Sequence, residues 1–159
     1  MTWFEARRTS EAVVSADRRA VWDALVDPDA IASMTPLVER IEAVGDHWHW
    51  QLQNVPGLGV SLAPAFTVRF ETDEPQRIEF VHDPPDGRRE RAGVDGVYLL
   101  AEVPEGTHLK IDLGVRVDLP LPRLARPAVA TTMQGVLASM GKGFSSALLD
   151  RLGAEQLDA

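Results

Sequence analysis

Three polar side chains fall among apolar neighbours, where they could act on a bound molecule. Side chains alternate between the two faces of a strand, so Arg8 shares a face with Phe4 and Val14 in the N-terminal segment. A buried guanidinium needs an anion, which a protein carboxylate or a ligand carboxylate or phenolate could supply. The alternatives are an internal salt bridge, or an arginine that reaches the rim on its aliphatic stem.

The other two polar side chains are His82 and Tyr98. His82 shares a face with Ile78 and Phe80 and could anchor a ligand or transfer a proton near neutral pH. Its place at a strand end, before Asp83-Pro84-Pro85, favours the rim. The Tyr98 hydroxyl could orient a ligand carbonyl or anchor the sheet. The residues assign no catalytic group, so we favour a protein that is not an enzyme and keep an enzyme as the alternative.

His47 and His49 raise the question of a metal site, because residues two apart on a strand point the same way. Trp48 and Trp50 take the inward face in the same alternation, which leaves the histidines in solvent. No third ligand is identifiable and cysteine is absent, so we predict no metal site. The chain has no nucleophile motif or phosphate-binding loop, and Gly57-Leu58-Gly59 does not join a strand to a helix. We therefore expect no cofactor.

Composition and charge limit the partners. The 159 residues suit one domain, which we place at residues 1–153 with a C-terminal tail at 154–159. With 24 acidic and 16 basic residues the net charge is −8, which disfavours nucleic acid, and we interpret Arg88–Arg91 as a solvated loop. No apolar run approaches the roughly 20 residues that span a bilayer. The segment MTWFEARR lacks the apolar stretch of a secretory signal, so we expect a cytoplasmic protein without an integral membrane segment.

The periodicity predicts a strand, two short helices, about six further strands and a long final helix. The first strand covers Thr2 to Val14, and Ser15 or Asp17 could cap the helix after it. The last helix runs from about Leu124 to Leu152 and contains three glycines, each costing about 1 kcal/mol relative to alanine. Close approach to the sheet, or a bend that leaves space for a ligand, would compensate.

The segment VVSADRRAVWDALVDPD, residues 13–29, resembles the opening of the START-like (SRPBCC) helix-grip superfamily, which includes polyketide cyclases and lipid-transfer domains. The order of elements follows that superfamily along essentially the whole chain. The resemblance implies an α+β fold in which a curved antiparallel sheet of about seven strands surrounds a long C-terminal helix, with two short helices after the first strand. The segment marks the architecture and carries no catalytic motif.

The resemblance also implies an internal apolar cavity, although a filled core is the alternative. We expect the protein to bind or transport a small hydrophobic molecule in this cavity, such as a lipid or a polyketide-like compound. The loop 54–65 should lie near its mouth. The residues predicted to contact the ligand are Arg8, Trp22, Met34, Trp50, Phe66, Phe70, Phe80, His82, Tyr98, Met133, Leu137 and Met140.

Two other functions stay open. A cyclase or aromatase would use cavity shape with Arg8, His82 and Tyr98 as acid–base groups. An accessory or assembly role, similar to that of the helix-grip accessory proteins of carbon-monoxide dehydrogenase, would use the long loop and the C-terminal tail as contacts. The identity of the ligand, a homodimer and a partner protein are all left open by the sequence.

Overall fold

The computed structural model describes residues 2–157. Met1 of the predicted domain and residues 158–159 of the predicted tail lie outside the described residues. The strands are β1 (Thr2–Val14), β2 (Val38–Val44), β3 (His47–Leu52), β4 (Ala65–Asp73), β5 (Arg77–His82), β6 (Ala92–Val103), β7 (Gly106–Leu119) and β8 (Gln156–Leu157). They form one curved sheet in the order β2-β3-β4-β5-β6-β7-β1-β8, so the predicted α+β helix-grip fold is confirmed with one short strand more than expected.

Every pairing in the sheet is antiparallel. Strands β2 to β7 follow one another as hairpins, and β1 returns beside β7, from the Thr2–Leu119 pair to the Val14–Thr107 pair. Strand β8 adds two residues to the other edge of β1, where Leu157 pairs with Val13. Part of the segment predicted as a tail therefore completes the sheet.

Two short helices follow β1: α1 (Arg18–Leu25) and α2 (Pro28–Met34). Asp27 caps α2, since its carboxylate accepts hydrogen bonds from the backbone N–H groups of Asp29 at 3.0 Å and Ala30 at 3.2 Å. The predicted cap of α1 is not formed by a side chain. Asp17 occupies the cap position without a side-chain hydrogen bond, and the Ser15 hydroxyl instead accepts from the N–H of Glu155.

The long helix α3 (Arg126–Leu152) packs against the concave face of the sheet, after a short 3-10 turn at Arg123–Ala125. Its buried positions include Met133, Leu137 and Leu148, which are spaced so that they share one side of the helix. The helix ends at Gly153, whose φ of 59° is a left-handed conformation that glycine adopts without steric cost.

The core consists of two apolar clusters at opposite ends of α3. One packs the short helices against the sheet and includes Val21, Trp22 and Met34. The other packs the N-terminal part of α3 on the start of β1 and includes Phe4, Leu119, Val129 and Met133. Leu113 and Val117 of β7 contact both clusters.

Candidate functional site

A cavity of about 200 Å³ lies between the inner face of the sheet and α3. A cavity of about 150 Å³ lined by aliphatic and aromatic groups is enough to admit benzene, so this one has room for an aromatic ring or a short alkyl chain. Its walls are mainly apolar, and no aspartate or glutamate among residues 2–157 lines it. The main apolar contributors are Trp50, Leu52, Phe66, Val68, Phe80, Val94, Ile111, Leu113, Val115, Met133, Leu137, Met140 and Phe144.

Strand register fixes where the lining residues stand. Ile111 of β7 lies between Ser10 on one neighbouring strand and Tyr98 on the other. Leu113 likewise lies between Arg8 and Gly96. Each of these cross-strand rows ends at β1, one in Ser10 and the other in Arg8. Neighbouring strands are about 4.8 Å apart, so these two residues lie roughly 10 Å from β6.

An aromatic row forms the wall on the side of the sheet away from β1. The Phe80 ring lies 5.3 Å from the Tyr98 ring in an edge-on arrangement and 5.6 Å from the stacked ring of Phe70. Gly96 makes room for it, because a Cβ there would stand 2.7 Å from the Phe80 ring. Phe70 also stacks on Trp48 at 4.0 Å and is absent from the described lining.

Tyr98 places one neutral polar group in the lining. A tyrosine hydroxyl is protonated at neutral pH and can donate a hydrogen bond, and burial raises the pKa of the Tyr98 phenol further. No hydrogen bond joins this hydroxyl to another of the residues between 2 and 157. The group is therefore available to orient a ligand acceptor.

Arg8 also lines the cavity, at its β1 edge, and its side chain extends into an exposed position. Neither an ion pair nor a side-chain hydrogen bond joins Arg8 to another described residue. Of the two alternatives given above, the internal salt bridge is therefore not formed, and the side chain lies at the rim. The adjacent Arg7 points to the opposite face and pairs with Asp112 at 3.2 Å and Asp95 at 3.9 Å. Gly141 of α3 faces Arg8, and a Cβ there would stand 3.6 Å from the Arg8 Nε.

The sequence matches no protein-family model and no curated protein. Solved structures do match along nearly the whole chain. A conserved protein from Geobacillus kaustophilus is 16% identical over 96% of this chain and 98% of that one, with a TM-score of 0.67. A START superfamily protein from Mycobacterium smegmatis is 17% identical over 94% and 97%, with a TM-score of 0.65.

The chain has the START-like helix-grip fold. A third match is the Zhui aromatase/cyclase from Streptomyces sp. R1128, which is 13% identical over 96% of this chain and 94% of that one, with a TM-score of 0.65. Identities this low show that the fold is shared but do not show that the activity is. The function of this helix-grip protein must therefore be argued from its own residues. Within residues 2–157, no helix combines the length and apolar character needed to cross a membrane.

The helix-grip cavity contains some of the residues predicted to contact a ligand and not others. Those that line it are Arg8, Trp50, Phe66, Phe80, Tyr98, Met133, Leu137 and Met140. Those found elsewhere are Trp22, Met34, Phe70 and His82. Trp22 and Met34, only 2% and 4% exposed, pack in the core beneath the short helices. The inner row of β7, Ile111 to Val117, is apolar in the sequence, but its alternation alone does not identify it as cavity wall.

His82 lies outside the described lining because its imidazole packs against Gly93 and bonds to Glu90. Its Nε2 is 2.9 Å from a Glu90 carboxylate oxygen, and Arg116 lies 3.4 Å from its Nδ1. A proton on Nε2 satisfies both contacts, since Nε2 then donates to the carboxylate and Nδ1 accepts from the guanidinium. The geometry assigns His82 to this network.

Glu90 is the centre of that network and was missed by the sequence analysis. Its carboxylate is 3% exposed and accepts hydrogen bonds from the Thr67 backbone N–H and hydroxyl, each at 2.8 Å. The interpretation of Arg88–Arg91 as a solvated loop is therefore wrong at Glu90. One acid among three arginines gives no local signal of burial, because its partners come from distant strands.

The loop between β3 and β4 covers one end of the cavity. Val55, Leu58 and Leu62 line the cavity from this loop, and Leu58 is buried in the cluster that includes Met133. The loop approaches α3 closely, since a Cβ on Gly57 would stand 3.2 Å from a methyl carbon of Thr132. The loop therefore forms part of the cavity wall, and its place near the mouth stays a prediction.

The two histidines of β3 point to the outer face, while Trp48 is buried on the inner one. His47 contacts Asp83 at 2.8 Å and Asp46 at 2.7 Å, and His49 contacts Thr67 at 3.0 Å. The hydrogen bond to Asp83 is the largest influence that raises the pKa of His47. Residues 2–157 contain no cluster of three or more side chains suited to hold a metal ion.

Proposed function

We propose that this helix-grip protein binds a small, largely apolar molecule in the cavity beneath α3. The observation that carries the proposal is the cavity itself: about 200 Å³ of space with apolar walls and no acidic residue among those described. Such pockets, with a few oriented polar groups, are the usual form of small-molecule sites. A solid core would have placed side chains in this space.

The polar groups in the lining support binding more than chemistry. Tyr98 offers one neutral donor, which can select a ligand with an oxygen acceptor. His82, a candidate acid–base group for the cyclase alternative, bonds to Glu90 away from the lining. We therefore favour a binding or carrier role in the cytoplasm over cyclase or aromatase activity, although a fold neighbour is an aromatase/cyclase.

Binding of a neutral probe tests this proposal. We expect 1-octanol to quench or shift the fluorescence of Trp50, which lines the cavity, and to raise the melting temperature of the protein. Native mass spectrometry of the freshly purified protein should also show a co-purifying small molecule that organic solvent extracts. Absence of both a bound molecule and any response to 1-octanol would overturn the proposal.

A further inference from the structure

The β1 edge of the cavity holds a cation that has no counter-charge among the described residues. Arg8 and Arg116 are the two arginines that line the cavity among the described residues. Arg116 is already engaged, since it lies 5.5 Å from the centre of the Trp3 ring and contacts His82. Arg8 forms no ion pair and stacks on no aromatic ring among the residues at positions 2–157.

Two hydroxyl groups accompany Arg8 in the lining. Ser10 lies two residues along β1 on the same face, and Ser145 lies one turn of α3 beyond Gly141, the residue that faces Arg8. Both serines are exposed, and neither side chain makes a hydrogen bond to another described residue. The edge thus offers a guanidinium and two hydroxyls beside an apolar cavity.

We propose that Arg8, Ser10 and Ser145 bind the carboxylate of an amphiphilic monocarboxylic acid whose alkyl or aryl part occupies the cavity. This inference rests on the proposed function and defines its ligand class. A guanidinium matches the two oxygens of a carboxylate, and serine hydroxyls can donate to the same oxygens. One arginine that lacks an ion pair within residues 2–157, on a protein of net charge −8, suits a single negative charge better than a doubly charged phosphate.

A matched pair of probes separates the head group from the chain. Octanoate and 1-octanol share a chain length and differ in charge, and 3-phenylpropanoate and 3-phenylpropanol repeat the comparison for an aryl group. Binding is measured by calorimetry at low ionic strength with the wild type, Arg8→Gln and Arg7→Gln. Arg7 is the control because it neighbours Arg8 on β1 but faces the other way and pairs with Asp112.

We expect Arg8→Gln to weaken binding of the carboxylates about tenfold and to leave the alcohols within about twofold. Arg7→Gln should leave both classes unchanged. If wild type binds the alcohols and Arg8→Gln binds the carboxylates as well as wild type, the head-group site is wrong while the proposed function stands. If no probe binds to the wild type and no small molecule co-purifies with it, the proposed function itself fails.

A second variant covers the case in which Arg8→Gln does not fold. Arg8→Lys keeps the charge but loses the two-pronged geometry, so carboxylate affinity should fall between those of the wild type and Arg8→Gln. Added salt should weaken carboxylate binding to the wild type and leave alcohol binding unchanged. Equal salt responses for acid and alcohol would overturn the inference.

Discussion

Gly143, in the middle of α3, lies directly against the ring of Pro36, which follows α2. A Cβ at Gly143 would overlap the Pro36 Cγ. Apart from its chain neighbours and the backbone of its own helix, Gly135 has no described atom within 4 Å of the place its Cβ would take. The two glycines are therefore in different surroundings, and of these two it is Gly143 that lets α3 pack closely on Pro36.

Alanine substitutions should distinguish these two glycines. Gly135→Ala is expected to raise the free energy of unfolding by about 0.5–1 kcal/mol, because alanine favours helix and meets no neighbour. Gly143→Ala is expected to lower it by roughly 1–3 kcal/mol, since overlap with Pro36 outweighs the helix preference. Urea denaturation of both variants measures the difference. Equal stabilisation by the two substitutions would contradict the packing described here.

Enlarging a side chain in the cavity should block a ligand without disrupting the sheet. Leu113 lines the cavity on β7 and is half-buried, so Leu113→Phe should reduce affinity for 1-octanol about tenfold or more. Leu99→Phe is the matched control, because Leu99 is 41% exposed and absent from the lining. Fluorescence titration checks both. Wild-type affinity in Leu113→Phe would place the ligand elsewhere.

The buried Glu90 network should contribute to stability. In Glu90→Gln an amide NH₂ replaces one acceptor of the carboxylate, which leaves a donor of Thr67 or His82 unmatched. The expected loss in free energy of unfolding is about 1–3 kcal/mol. Glu105→Gln, in the exposed turn between β6 and β7, serves as control and should change little. Equal denaturation midpoints for the two variants would refute a structural role for Glu90.

The His47–Asp83 pair should make stability depend on pH. The hydrogen bond to Asp83 raises the pKa of His47 above 6.5, and the bond to His47 lowers the pKa of Asp83 below 3.8. A histidine whose pKa is raised on folding stabilises the fold at pH values below the pKa of the unfolded state. That stabilisation is lost as the pH rises through the pKa of the folded state. An aspartate whose pKa is lowered on folding stabilises the fold at pH values above the pKa of the unfolded state. That stabilisation is lost as the pH falls through the pKa of the folded state.

The melting temperature of the wild type should therefore exceed that of His47→Gln most between about pH 4 and 6.5, and the two should converge at higher pH. Asp83→Asn should give a similar profile, and the double variant should add little to either single one. Thermal melts across that range test this. A gap that stays constant up to about pH 9 would show that protonation of His47 is not involved.

Much of the fold could be predicted because alternation is a local property. The bounds expected for the first strand, Thr2–Val14, are those observed. Strand β8 could not be predicted, since Gln156–Leu157 is too short to show alternation and depends on its pairing with β1. The fold was thus predictable wherever an element was long enough to carry its own pattern.

The candidate site was less predictable, because alternation gives the face of a side chain but not what covers it. Phe66 and Phe70 share a face of β4, yet Phe66 lines the cavity while Phe70 stacks between Trp48 and Phe80. The burial of Glu90 depends on partners in β4 and β5, far from it along the chain. Contacts of this kind arise from the tertiary arrangement. Whether the lining residues bind a ligand stays a prediction.

The pairing of β1 with β7 has a consequence for folding kinetics. Residues 2–14 meet residues 107–119, so the first strand has no partner until most of the chain is available. Closing such long-range contacts is slow compared with the formation of the hairpins between β2 and β7. We therefore expect the docking of β1, which also contributes Arg8 to the cavity wall, to be a late step in folding.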